Sequence, residues 1–185
     1  MQIRPIEERD IPALEHICLA TASKVLTKDE AAKETTLLLY NRYYTRCERE
    51  NCFAVTDEKD IPVGYILCAP DYESYTKSFR KTECKAIRKY GALRFLYAYF
   101  EPAVQKKFRK KYPAHLHIDI LPAYQSKGAG TELMETLKSH LRARGVPGIF
   151  LSVGKQNSGA LRFYKRNGFQ VLDVRGGGVL MGCKL

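Results

Sequence analysis

The stretch His115–Thr131, HLHIDILPAYQSKGAGT, decides how the rest of the chain is read. It reads as a buried strand, a tight loop and the first turn of a helix. Leu116, Ile118 and Ile120 alternate to one face of the strand, and His115, His117 and Asp119 to the other. Pro122 cannot donate to a ladder and stops the strand. Gln125, Gly128 and Gly130 follow, and then Leu133, Met134, Leu137 and Leu141 recur at helical spacing. A glycine loop opening into a helix N-terminus offers free backbone N–H groups and the positive end of the helix dipole, which suits a phosphate. The spacing fits neither GxxxxGK(S/T) nor GxGxxG, so it is neither a nucleotide P-loop nor a dinucleotide fingerprint.

The chain has 185 residues, 45% of them hydrophobic, enough for one domain over 1–185 with a proper core. No run approaches the ~18 apolar residues of a membrane span, and MQIRPIEERD has no apolar signal core. Cys18, Cys47, Cys52, Cys68, Cys84 and Cys183 are scattered without a CxxC pair. That spacing predicts reduced thiols in a cytoplasmic protein, with no metal site and no membrane partner. The net charge is +11, and Asp71–Tyr112 holds 12 Lys/Arg against 4 Asp/Glu. Such an excess points to an anionic partner or to a solvated helix face, and no nucleic-acid-binding motif accompanies it.

Around the central stretch the elements follow in order. Met1–Arg4 is a short strand. Asp10 is placed to cap a helix with Pro12 in its first turn and Ile11, Leu14, Ile17 and Cys18 as its stripe. A second helix is expected over Lys28–Glu48. Cys52–Thr56 and Val63–Cys68 form a hairpin across Asp57–Asp60, with Gly64 marking a bulge or a close approach. The basic, aromatic insertion, about 70–112, fits helices over Tyr72–Tyr90 and Ala92–Lys110 and is placed to roof a site. After the central helix come a strand at Ile149–Val153, a helix at Asn157–Asn167 closed by Gly168, and a hairpin of Phe169–Asp173 with Val179–Cys183. The fold class is α/β (α+β): a single mixed twisted sheet of about six to seven strands with helices on both faces.

Gln125-x-x-Gly128-x-Gly130 after a strand ending at Pro122 resembles motif A of the GNAT superfamily of N-acetyltransferases. About 30 residues on, Asn157-x-x-Ala160-x-x-x-Tyr164-x-x-x-Gly168-Phe169 resembles motif B. Pro113–Ile120, PAHLHIDI, with the basic insertion before it, further resembles the acetyltransferase-like domain of O-GlcNAcase and its free-standing bacterial relatives. The resemblance implies a GNAT fold and acetyl-CoA as co-substrate. It implies that the amides near Ile120 and Leu121 hold the acetyl carbonyl and the pantetheine arm. The amides of Gln125, Ser126, Lys127, Gly128, Ala129, Gly130 and Thr131 would hold the pyrophosphate, and Asn157 the pantetheine. It makes Tyr164 the general acid, since a phenol can protonate a leaving thiolate. Asp119 becomes the candidate general base once burial or a relay water compensates for its low reference pKa.

His115 and His117 share the Asp119 face. Strand neighbours two apart lie roughly 6.6 Å from each other, too far for tight shared ligation of a metal. His117 is instead placed as an auxiliary base or a substrate contact. The expected function is transfer of an acetyl group to a primary amine of a small molecule or a protein, by a monomer or homodimer. An acetyl-CoA-binding module without catalysis and an interaction domain for an acidic partner are the alternatives. Tyr40, Tyr43, Tyr44, Tyr97 and Tyr99 are candidates for lining an acceptor cleft.

Overall fold

The apolar run Pro62–Ala69 is buried along its whole length, as a strand covered on both faces requires. It is β3 of a computed structural model that describes residues 1–100 and 107–185. The other strands are β1 (Gln2–Pro5), β2 (Phe53–Thr56), β4 (Ala114–Ile120), β5 (Gly148–Gly154), β6 (Gln170–Arg175) and β7 (Gly178–Lys184). They form one seven-stranded sheet in the order β1-β2-β3-β4-β5-β7-β6. All neighbours are antiparallel except β4 and β5. The helices are α1 (Ile11–Thr21), α2 (Glu30–Tyr40), α3 (Arg42–Cys47), α4 (Tyr72–Lys81), α5 (Glu83–Ile87), α6 (Ala92–Phe100), α7 (Ala129–Ala143) and α8 (Ser158–Arg166).

The sheet separates two cores. One joins Leu14, Ile17 and Tyr44 from the first helices to Tyr65, Leu67 and Phe150 on the sheet and to Tyr72, Tyr75 and Phe79 of α4. The other joins Leu133, Met134, Leu137 and Leu141 of α7, and Tyr164 of α8, to Ile66, Leu116, Ile149 and Met181. Alternation along β4 therefore sends Leu116 toward α7 and puts His115, His117 and Asp119 on the α1 side. Among the described residues no helix is long and apolar enough to cross a membrane.

Three expectations need correction. Asp10 does not cap α1 with its side chain. It is buried and takes a two-pronged contact from Arg4 at 2.7 and 3.0 Å, because an ion pair compensates burial where a lone carboxylate could not. The helix expected over Lys28–Glu48 is broken at Asn41, whose backbone leaves helical geometry and whose Nδ2 donates to the Leu14 carbonyl at 3.2 Å. Just past the break, Tyr43 and Tyr44 are buried. In the insertion, Thr82 splits the first expected helix, Gly91 at φ +120° separates it from α6, and residues 107–110 form a turn rather than helix. The part of the expected second helix at 101–106 lies outside the described residues.

Gly64 marks both features expected of it. The β2–β3 register shifts between Val55 and Thr56, and a Cβ on Gly64 would lie 2.7 Å from Ile120 Cγ1 and 2.9 Å from Val55 Cγ1. Gly64→Val should therefore destabilise the fold by about 1–3 kcal/mol, read as a lower urea midpoint at unchanged slope.

Candidate active site

The site exists because β4 and β5 part. They pair only at Ala114↔Ile149 and His115↔Phe150. Beyond that, β3 keeps its grip on β4 as far as Gly64↔Ile120, and β7 stays with β5 as far as Gly154↔Gly178. The sheet thus opens toward the carboxyl ends of two parallel strands, the usual place for a ligand crevice in such sheets. A cavity of about 320 Å³ fills the gap. Its walls are Leu116–Asp119 of β4, Leu151–Gly154 of β5, Asn157, Ala160 and Tyr164 around α8, and Cys18, Thr21, Thr36 and Tyr40 from the first two helices.

Asp119 and Tyr164, both singled out from sequence, share this cavity. Burial lifts the Asp119 carboxyl to about 6, against the hydrogen bond from Tyr65 that lowers it. At neutral pH it is a carboxylate basic enough to take a proton. Burial, then the charge of Asp119, raises the Tyr164 phenol well above its ordinary value, so it stays protonated and able to donate. Sequence reasoning missed Tyr65, Thr21 and Cys18. The signal for Tyr65 was a single phenol in an otherwise apolar strand, since a buried hydroxyl needs a partner.

At the end of β4, Gln125 Nε2 donates to the Ile120 carbonyl at 2.7 Å and ties the loop to the strand. The loop uses the Gln125 amide on Pro122 and the Thr131 amide on Gly128. Among the described residues, the amides of Ser126, Lys127 and Gly128 have no backbone partner, and those of Ala129 and Gly130 are orphans of the first helical turn. Ser126 at φ +61° and Gly128 at φ +88° take left-handed conformations, which gather successive N–H groups into an anion-binding concavity. Lys127 lies over the Tyr124 ring at 5.4 Å. Gly130 lets α7 approach α8, since a Cβ there would meet Phe163 at 3.1 Å. These residues fit a pyrophosphate.

Two assignments change in detail. The Leu121 amide donates to Val63 at 2.9 Å and is not available to a ligand. Antiparallel pairing alternates, so the Ile118 and Ile120 amides point away from β3 into the gap. Asn157 caps α8 through Oδ1, which accepts from the Ala160 amide at 3.0 Å, leaving Nδ2 for the cavity.

The histidines belong to an aromatic cluster. His115 Nδ1 lies 2.9 Å from the Tyr44 hydroxyl, and its ring meets that of His117 at 4.8 Å. Burial holds His117 at about 4, so it faces the cavity as a neutral ring. Among the described residues no group of three His, Cys, Asp or Glu side chains is placed to hold a metal. The six cysteines are free. The described residues between Asp71 and Tyr112 do not line the cavity, so the expected roof is not found among them. Of the candidate tyrosines only Tyr40 does, whereas Tyr43 and Tyr44 are core and Tyr97 and Tyr99 are exposed.

A mixed sheet parted between two parallel strands, with a glycine loop at the open end, defines the class as an α/β fold with a ligand crevice between β4 and β5. The chain belongs to the acetyltransferase (GNAT) family, whose model matches residues 22–169. It is 40% identical over 57 residues to the mycothiol acetyltransferase of Streptosporangium roseum, a segment covering 31% of this chain and 17% of that relative. The structure described as SsHAT superposes with a TM-score of 0.87 at 27% identity, covering 99% of this chain and 97% of that one. The PaiA N-acetyltransferase of Thermoplasma acidophilum, solved with coenzyme A, superposes with a TM-score of 0.62 at 16% identity, covering 100% and 98%, and so shares the fold.

Asp119 titrates near 6 in the fold and at the ordinary 3.8 when unfolded, so its charge weakens the native state. The penalty is absent below pH ~4 and complete above pH ~6, where the gap is worth roughly 3 kcal/mol. Asp119→Asn should raise the urea midpoint at about pH 8, with the gain fading toward about pH 4. An equal change at both pH values would contradict the buried-carboxylate reading.

Proposed function

We propose that this chain is an acetyl-CoA-dependent N-acetyltransferase that moves an acetyl group directly to a primary amine of a small molecule or protein. The observation that carries the reading is the meeting of a carboxylate basic near neutrality and a protonated phenol in one cavity beside an anion-binding loop. A module that only bound the cofactor would have no use for that pair. The reading takes residues 1–185 as one domain and places it in the cytoplasm, where free thiols persist. The finer resemblance to the O-GlcNAcase acetyltransferase-like group is supported by PAHLHIDI forming the central strand directly after a helical insertion.

In this reading Ser126–Gly130 hold the pyrophosphate through their amides, with Lys127 adding positive charge. Asn157 Nδ2 reaches the pantetheine, and the Ile120 amide takes the acetyl carbonyl. Asp119 accepts a proton from the amine as its nitrogen attacks the thioester carbon. As the new C–N bond forms and the C–S bond breaks, Tyr164 donates its phenolic proton to the departing thiolate. Holding both substrates in the gap makes the step effectively unimolecular, and proximity supplies much of the acceleration.

The test is thiol release from acetyl-CoA across a panel of primary amines. Tyr164→Phe should cut turnover by about tenfold or more while leaving acetyl-CoA affinity nearly intact. Unchanged turnover would remove Tyr164 as the acid, and no amine-dependent release by the native protein would overturn the enzyme reading.

A further inference from the structure

Tyr65 sits in the middle of a strand buried at every position and is itself fully buried. A phenol taken out of water is costly unless its hydroxyl finds a partner. The β3–β4 register sets Tyr65 directly opposite Asp119, and its hydroxyl donates to Asp119 Oδ2 at 2.6 Å. Cys18 and Thr21 of α1 line the cavity beside this pair, with the Thr21 hydroxyl donating to the Ile17 carbonyl at 2.9 Å. Burial and the Asp119 charge keep the Tyr65 proton on its oxygen far above any working pH, so the phenol always donates.

We propose that Tyr65 is a positioning residue: it pins Asp119 Oδ2 from behind, leaves the remaining lone pairs for the amine proton, and keeps the carboxylate ionised at neutral pH. The inference rests on the proposed role of Asp119 as base. The groups facing that carboxylate are Tyr65 from β3, Cys18 and Thr21 from α1, His117 from its own strand and Tyr164 from α8. None carries positive charge, since His117 is held neutral. The ionised form therefore depends on the Tyr65 hydroxyl, and hydrogen bonds to a charged acceptor are the strong ones.

Tyr65→Phe removes one oxygen and keeps the ring that fills the core. Asp119 is followed by carbon-13 NMR titration of its carboxyl, alongside the pH profile of kcat/KM and the acetyl-CoA affinity. The Asp119 midpoint should rise by about one pH unit, with the acid limb of kcat/KM moving with it and affinity unchanged. An Asp119 midpoint unmoved in folded Tyr65→Phe would overturn the proposal. A midpoint that moves while the acid limb stays put would sustain the positioning role and sink Asp119 as base. The native protein gives a check that needs no variant: the Tyr65 ring carbon bearing oxygen should show an inflection at the Asp119 midpoint, and its absence would overturn the contact in solution.

Discussion

Everything at the site depends on one strand being held on one side only. Past His115, β4 keeps its ladder with β3 and loses β5, which β7 carries away. A strand stripped of one neighbour has backbone donors that must find water or a ligand. Those of Ile118 and Ile120 face the gap, while the Leu121 amide is satisfied by Val63. The same divergence makes room for α8 to bring Tyr164 and Asn157 to the cavity wall. It also sets the anion-binding loop at the open end, because the chain leaves β4 there and turns straight into α7.

The chemistry of the gap follows from burial without counter-charge. The β4 face that carries His115, His117 and Asp119 packs under α1 and α2, and among the described residues no Lys or Arg lines the cavity. Low-dielectric surroundings penalise charge on all three. The histidines respond by staying neutral within an aromatic cluster that includes Tyr40, Tyr44, Tyr72 and Tyr75. Asp119, with the Tyr65 hydroxyl on it, ionises late but still below neutrality. Its charge therefore weakens the native state at neutral pH, a cost that functional sites often carry. Cations elsewhere serve architecture: Arg4 joins β1 to Asp10 and to Asp60 in the hairpin turn, and Lys138 reaches the Asn167 carbonyl at 2.7 Å at the end of α8.

Much of this was legible in the sequence because the signals are local. Strand alternation from His115 to Ile120, the stop at Pro122 and the four apolar residues of α7 located the centre of the fold to within a residue. The Gln125, Gly128 and Gly130 pattern located the loop, and Asn157 with Gly168 bracketed α8. What was not legible depends on contacts between distant residues. Tyr65 and Asp119 are 54 positions apart and meet only through register. Asn41 breaks a helix that local propensity would continue, because it bonds to a carbonyl 27 positions away. Asp10 has the look of a helix cap and serves as the buried partner of Arg4. The insertion's place between two sheet strands suggested a roof. Instead Tyr72, Tyr75 and Phe79 enter the core, and α6 leaves Leu93, Leu96, Tyr97 and Phe100 exposed.

The central claim is that the cofactor enters the gap between β4 and β5 with its pyrophosphate on the loop before α7. Amide NMR during titration with coenzyme A tests it residue by residue. The account predicts saturable shifts concentrated at Ser126–Gly130, Ile118 and Ile120, with Leu121 moving little because its amide is already engaged. Saturable binding that leaves those amides in place, or no binding at all, would contradict it.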